Sequence, residues 1–174
     1  RGITVNALGP TGTISFSGGV LQFSAANTTD YSPQFSTAPN QAYALDTNGQ
    51  SVALATTLSS VGGTLTKLGS GTLTLTGSNS YTGITRVAAG TLALSNTAAL
   101  AGSTLDLNSV DTGTVAFAAP GANTYVLGGL SGSRPLATSG EVSFAVGANG
   151  MNTTYSGLLS GSGRLTKVGS GTLT

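Results

Sequence analysis

Five carboxylates are all the acid in this chain of 174 residues: Asp30, Asp46, Asp106, Asp111 and Glu141. Paired carboxylates can do general acid–base work or cleave a glycosidic bond, and clustered ones can hold Ca²⁺. Asp106 and Asp111 are the pair close in sequence, flanking the segment Leu107–Val110, which reads as a turn. With Glu141 they are the acids to which a polysaccharide-cleaving or carbohydrate-binding role can attach. Turn and surface positions account for them more simply, so no catalytic, cofactor-binding or metal-ligating residue is assigned. Asp46-Thr47-Asn48-Gly49 opens like a Ca²⁺ loop, yet Gln50 to Thr57 brings no bidentate acid. It reads as an Asx turn. There is no His and no Cys, which excludes a histidine-based serine triad, a thiolate nucleophile and thiolate metal ligands. The Gly-x-Gly pairs at Gly69/Gly71, Gly161/Gly163 and Gly169/Gly171 precede no helix that would aim its N-terminus at a phosphate. They are corners.

The remaining polar candidates are weaker. Lys67 and Lys167 occupy equivalent places in a repeated run and are expected on an outer strand face, where charge guards against sheet aggregation. Tyr81 and Tyr155 also stand at matching places, and read as ladder or corner residues before a sugar-stacking platform. The sequons Asn27-Thr28-Thr29 and Asn152-Thr153-Thr154 matter only where the source glycosylates such sites. Thr-x-Thr strands such as Thr72-Leu73-Thr74 leave ice binding as a remote alternative.

These residues must be positioned by an unusual chain. Charged side chains make up 6% of it, against roughly 25% in ordinary soluble proteins. Apolar residues make up 39%, and much of the rest is Gly, Ser, Thr and Asn. Disorder goes with low hydrophobicity and high net charge; the net charge here is +1, so the chain folds. No basic run offers a footprint for nucleic acid. No apolar run reaches the roughly 20 residues of a membrane-spanning helix. The opening Arg1-Gly2-Ile3 lacks the charged and apolar regions of a signal peptide, which is expected to be removed or to lie elsewhere.

Repeats organise the sequence. The run from Gly63 to Thr74 returns from Gly163 to Thr174, differing only at Thr64/Arg164 and Leu68/Val168. Gly2-Ile3-Thr4-Val5 echoes Gly83-Ile84-Thr85-Arg86-Val87, and Gly12-Thr13-Ile14-Ser15 echoes Gly90-Thr91-Leu92-Ala93. Between glycine and asparagine breaks the apolar period is two, as in Thr72–Thr76, Thr91–Leu94, Thr104–Leu107, Thr114–Phe117 and Val142–Val146. Ile14 with Phe16, Leu21 with Phe23, and Val52 with Leu54 follow the same alternation. The breaks include Gly69-Ser70-Gly71, Gly77-Ser78-Asn79, Ala88-Ala89-Gly90, Gly128-Gly129 and Gly147-Ala148-Asn149-Gly150. Ala98–Ala101 forms at most one helical turn. Short strands and long repeats predict an all-β solenoid over 1–174, its inward Leu, Val, Ile and Phe stacked coil on coil and its threonines outward. Neither end reads as a polar capping coil. The expectation is an open-ended segment of a longer array, or a subunit that stacks end to end on neighbours.

Residues 62–94 carry a recognisable pattern. Leu65-Thr66-Lys67-Leu68-Gly69-Ser70-Gly71-Thr72-Leu73-Thr74-Leu75 is followed by Asn79-Ser80-Tyr81-Thr82-Gly83 and then Ala89-Gly90-Thr91-Leu92. This resembles the autotransporter-associated β-strand repeat of bacterial passenger regions and large surface proteins. A second copy begins near Tyr155 and breaks off at Thr174. The resemblance implies a right-handed parallel β-helix exported by a Gram-negative-type bacterium to the cell surface or medium. There it would act as a stalk, filament or adhesin scaffold with no activity of its own. A host or environmental surface or a glycan is the implied partner.

Overall fold

The computed structural model describes residues 2–4, 11–121, 124–138 and 142–174. The strands are β1 (Gly2–Thr4), β2 (Val20–Gln22), β3 (Ala42–Asp46), β4 (Ser51–Leu54) and β5 (Thr64–Leu68). Then come β6 (Thr72–Leu75), β7 (Ile84–Val87), β8 (Thr91–Leu94), β9 (Leu100–Leu107) and β10 (Thr114–Phe117). The last are β11 (Thr124–Gly132), β12 (Leu136–Ala137), β13 (Ser143–Val146), β14 (Leu159–Ser160) and β15 (Leu165–Lys167). All of them pair in parallel. Nine form one sheet in the order β1-β2-β3-β5-β7-β9-β11-β13-β15, four form a second in the order β10-β8-β6-β4, and β12 pairs with β14. Each strand lies beside its counterpart one coil along the chain, which is a β-solenoid. Among the described residues there is no α-helix, only a single 3-10 turn at Ser32–Gln34.

The alternation sets what faces inward. In the small sheet Val52, Leu73, Leu92 and Val115 stand in register, as do Leu54, Leu75, Leu94 and Phe117. In the large sheet Tyr43, Leu65, Thr85, Leu105 and Leu130 make one inner column. Each fully buried aliphatic contributes about 1.5–3 kcal/mol by leaving water. Aromatic rings fill the wider places: Phe16, Phe35 and Tyr43 in the early coils, and Phe117, Tyr125 and Phe144 later, with centroids 4.9–5.8 Å apart within the two groups. Outer ranks are short and polar. Ser51, Thr72, Thr91 and Thr114 form one outward ladder, with the Thr91 and Thr114 hydroxyls 3.2 Å apart. The neighbouring rank is Ala53, Thr74, Ala93 and Ala116, in which Thr74 alone carries a hydroxyl, so the continuous hydroxyl ladder is confined to the first line.

Asn79 ties three coils together from inside a corner. Its carboxamide oxygen accepts from the Leu58 N–H at 2.8 Å, and its Nδ2 donates to the Ala99 carbonyl at 3.0 Å. A buried amide is tolerated because both ends are satisfied.

Two expectations need correction. Gly128-Gly129 is not a break: it lies inside β11, at the register shift between Leu127 and Gly129. There the backbone runs so close to the coil below that a Cβ on Gly128 would meet the Gly102 and Ser103 backbone at 2.6–2.8 Å. Glycine at this point serves close approach rather than a corner. Ile14 and Phe16 likewise form no strand; Ile14 makes a single bridge to Phe35, and Phe16 is buried.

β11 also changes the phase of the stack. Its first half, Thr124–Leu127, pairs with β13, while Gly129–Gly132 pairs with β9. Lys67 stands on the column of Leu21, Leu45 and Val87. Lys167 stands on another, that of Leu100, Leu127 and Val146. The two near-identical dodecamers thus occupy different columns of one solenoid.

Candidate functional site: a clamped carboxylate cluster and a buried lysine

Asp106 and Asp111 come together, as their spacing suggests, at the turn after β9. Asn108 organises the turn: its side-chain oxygen accepts from the Val110 and Asp111 N–H groups, both at 3.2 Å. Its Nδ2 donates to Asp106 at 3.1 Å and Asp111 at 2.6 Å. Arg86, one coil below on β7, grips Asp111 with two parallel hydrogen bonds, Nη2 to Oδ1 at 2.8 Å and Nε to Oδ2 at 3.1 Å. Ser131, one coil above on β11, donates to Asp106 at 3.1 Å. The cluster thus bolts three successive coils together.

Electrostatics follow this geometry. Burial pushes the Asp111 carboxyl up, but hydrogen bonds from Arg86 and Asn108 and the charges of Arg86 and Arg134 outweigh it. The group titrates below its ordinary value of 3.8. The hydrogen bond to Asp111 holds the Arg86 guanidinium above its usual range. A carboxyl depressed in this way is ionised at neutral pH and has no proton to give as a general acid. The space between the two carboxylates, where a glycosidic oxygen would have to sit, is filled by the Asn108 amide. Because the folded value lies below the unfolded one, Asp111 contributes stability above about pH 4 that is lost as pH falls through the folded value. Thermal melts between pH 6 and pH 2 are expected to show this loss, and Asp111→Asn is expected to flatten it.

The other acids are structural anchors. Asp46 accepts from the Asn48 N–H at 2.8 Å and from Gln22 Nε2 at 2.7 Å, and Asn48 and Gly49 take positive φ. This is the expected Asx turn. Asp30 accepts from the Ser32 and Ala55 N–H groups at 2.8 and 2.9 Å. Glu141 lies outside the described residues, among which no group of three or more potential metal ligands occurs.

Lys67 overturns its expectation. It points inward, fully buried, in the column between Leu45 and Val87. Its ammonium donates to the carbonyls of Leu68 at 2.8 Å, Gly69 at 2.8 Å and Ala89 at 3.2 Å, the last from the following coil. Three donors meet three carbonyl acceptors, which makes a buried cation tolerable. Desolvation still lowers its pKa, against the opposing pull of Asp46. The signal was available: Thr64-Leu65-Thr66-Lys67 puts Lys67 on the parity of Leu65. Lys167 repeats the first two contacts, to Val168 and Gly169, and is exposed.

Tyr81 is also interior. Its hydroxyl lies 2.6 Å from Thr85 Oγ1, which lies 2.7 Å from Ser103 Oγ, and Ser103 donates to the Gly83 carbonyl at 2.7 Å. Burial drives its pKa up. The ring is closed to any sugar. Tyr155, half-buried, donates to the Arg134 carbonyl at 2.8 Å. Of the sequon asparagines, Asn27 is buried with its Nδ2 donating to the Tyr31 hydroxyl at 2.7 Å, while Asn152 is exposed.

Comparison with known proteins fits this architecture. The passenger-associated-transport-repeat family matches residues 65–94, from Leu65 within β5 to the end of β8. The adhesin BmaC autotransporter of Brucella suis biovar 1 (strain 1330) is 37% identical over 123 residues, covering 63% of this chain. The chain spans 3% of that protein's length. No solved structure matches. In the matched segment Lys67, Asn79, Tyr81 and the glycines turn the corners of the coils and tie them together. This chain is a parallel β-solenoid built around an autotransporter passenger repeat.

Proposed function

We propose that the chain is a structural segment of a surface-displayed or secreted passenger of a Gram-negative bacterium, holding adhesive parts at a distance without catalysing a reaction. The carrying observation is the passenger repeat at 65–94, set in a continuous parallel stack whose polar side chains are spent on joining coils. The similarity to an adhesin autotransporter supports the same reading. Asp106 and Asp111, two of the three carboxylates that a polysaccharide-cleaving role would use, are engaged by Arg86, Asn108 and Ser131.

Display is tested on intact cells of the source organism with an antibody raised against this chain. Labelling without permeabilisation, removed by external protease, is the expected result. Labelling only after permeabilisation would overturn surface display, unless the chain is recovered from the medium. The structural role is tested separately with the purified chain on a panel of polysaccharides, with and without Ca²⁺. Release of new reducing ends or unsaturated products, abolished by Asp106→Asn, would sink it.

A further inference from the structure

We infer that this segment is closed to proteases of the trypsin type, because each of its interior cations is withheld by a separate contact. The closure does not depend on surface display. Enzymes of that type cut after Lys or Arg, and a carboxylate in their specificity pocket must first take hold of the cation. Between Gly2 and Gly163 the sequence offers three such side chains: Lys67, Arg86 and Arg134.

Lys67 is the most deeply withheld. It is fully buried, and its ammonium already donates to the carbonyls of Leu68, Gly69 and Ala89. The Ala89 carbonyl belongs to the following coil, so the lysine comes free only when two coils part. Arg86 is more open, its side chain 41% accessible. Its guanidinium fork is nevertheless filled by both oxygens of Asp111, so an internal carboxylate occupies the place of the protease's own. The Arg86 backbone lies in β7, which pairs with β5 on one side and with β9 on the other. A protease that needs an extended, unpaired strand finds none there.

Arg134 is closed twice. Its Nη1 donates to the Gly113 carbonyl of the preceding coil at 2.6 Å, and its Nε and Nη2 are enclosed. The residue after it is Pro135, whose ring removes the N–H and fixes the backbone at the bond to be cut. The corner tips show what is being avoided. Val61 and Val110 stand on exposed turns, 65% and 79% accessible, and neither carries charge. The three cations lie instead in a strand or against a neighbouring coil. Closure therefore follows from where charge is placed, beyond the stiffness of the stack. A displayed chain resists trypsin on the cell and yields to a protease of broad specificity, which is the enzyme that the surface-labelling test requires.

The test treats the full chain with trypsin, folded and heat-unfolded, and locates every cut by mass spectrometry. Cutting after Lys67 and Arg86 should be at least about 100-fold slower in the folded chain, because it waits on local opening. The bond after Arg134 should survive in both states, and Pro135→Ala should expose it in the unfolded chain. Asp111→Asn frees Arg86 and should speed cutting there several-fold, with Lys67 unchanged. Val61→Lys places a free cation on a tip, and the folded variant should be cut at that position while Lys67 stays closed. Circular dichroism checks that each variant keeps the fold. If Val61→Lys does not fold, Val110→Lys on the other tip decides. Cutting after Lys67 or Arg86 at the unfolded rate would overturn the inference. So would a folded tip variant that stays uncut, because stiffness alone would then explain the resistance.

Discussion

Lys67→Met is expected to lower folding stability by about 2 kcal/mol, a fall of about 6 °C in the melting temperature. Methionine keeps most of the side-chain volume between Leu45 and Val87 but donates nothing to the carbonyls of Leu68, Gly69 and Ala89. The loss of charge-assisted hydrogen bonds is offset in part, because a desolvated ammonium is no longer held inside. The same substitution at Lys167 removes contacts from an exposed lysine and should move the melting temperature by under about 1 °C. Comparing the pair separates burial from sequence, since the surrounding dodecamers are nearly identical. Alkaline pH gives a second readout. Lys67 has a folded pKa below the unfolded value of 10.5. Between those two values the unfolded chain holds a proton that the folded one does not, so stability rises with pH across that window. Thermal melts from neutral pH to about pH 10.5 should show it as a rise of the unaltered chain relative to Lys67→Met, since the buried tyrosines act alike in both proteins.

Gly71→Ala should cost about 3 kcal/mol, the second large effect. Gly71 has φ +90°, and a Cβ there would meet the Gln50 carbonyl oxygen at 2.3 Å and the Gly49 carbonyl carbon at 2.6 Å. Both obstacles are backbone of the coil below and neither can swing aside. Gly18 is the natural control, with φ +123° and nothing within 4 Å of the added atom. Gly18→Ala carries only the conformational penalty, about 1 kcal/mol. Denaturant melts of the two variants therefore divide the corner's demand into backbone angle and closeness of approach. Equal losses would show that the neighbouring coil yields, and that stacking is looser than the register implies.

What the sequence disclosed was set by how local the cause is. Alternation in Thr72–Leu75, Thr91–Leu94 and Thr114–Phe117 fixes both strand and facing, and each is found as read. The Asx turn at Asp46 is equally local. Lys67 was misplaced because its charge was weighed above its parity, although the carbonyls that accept it belong to its own corner and the next. The Arg86–Asp111 pair was not legible, since it joins residues from adjacent coils and coil length varies. Gly128-Gly129 misled for a related reason: glycine marks a corner when φ is positive, but here it marks the narrow gap above Gly102.

The variable length of the coils has a wider meaning. Leu21, Leu45, Lys67 and Val87 stack in register although the chain spends fewer residues on each successive circuit. Advance along the axis is set by one strand spacing per circuit, whatever the number of residues used to complete it. Extra residues are paid out sideways, as in the Asn108–Asp111 turn with Val110 at its exposed tip. Such a rod can change its ornament without changing its reach: height is counted in strands, and decoration in the residues between them.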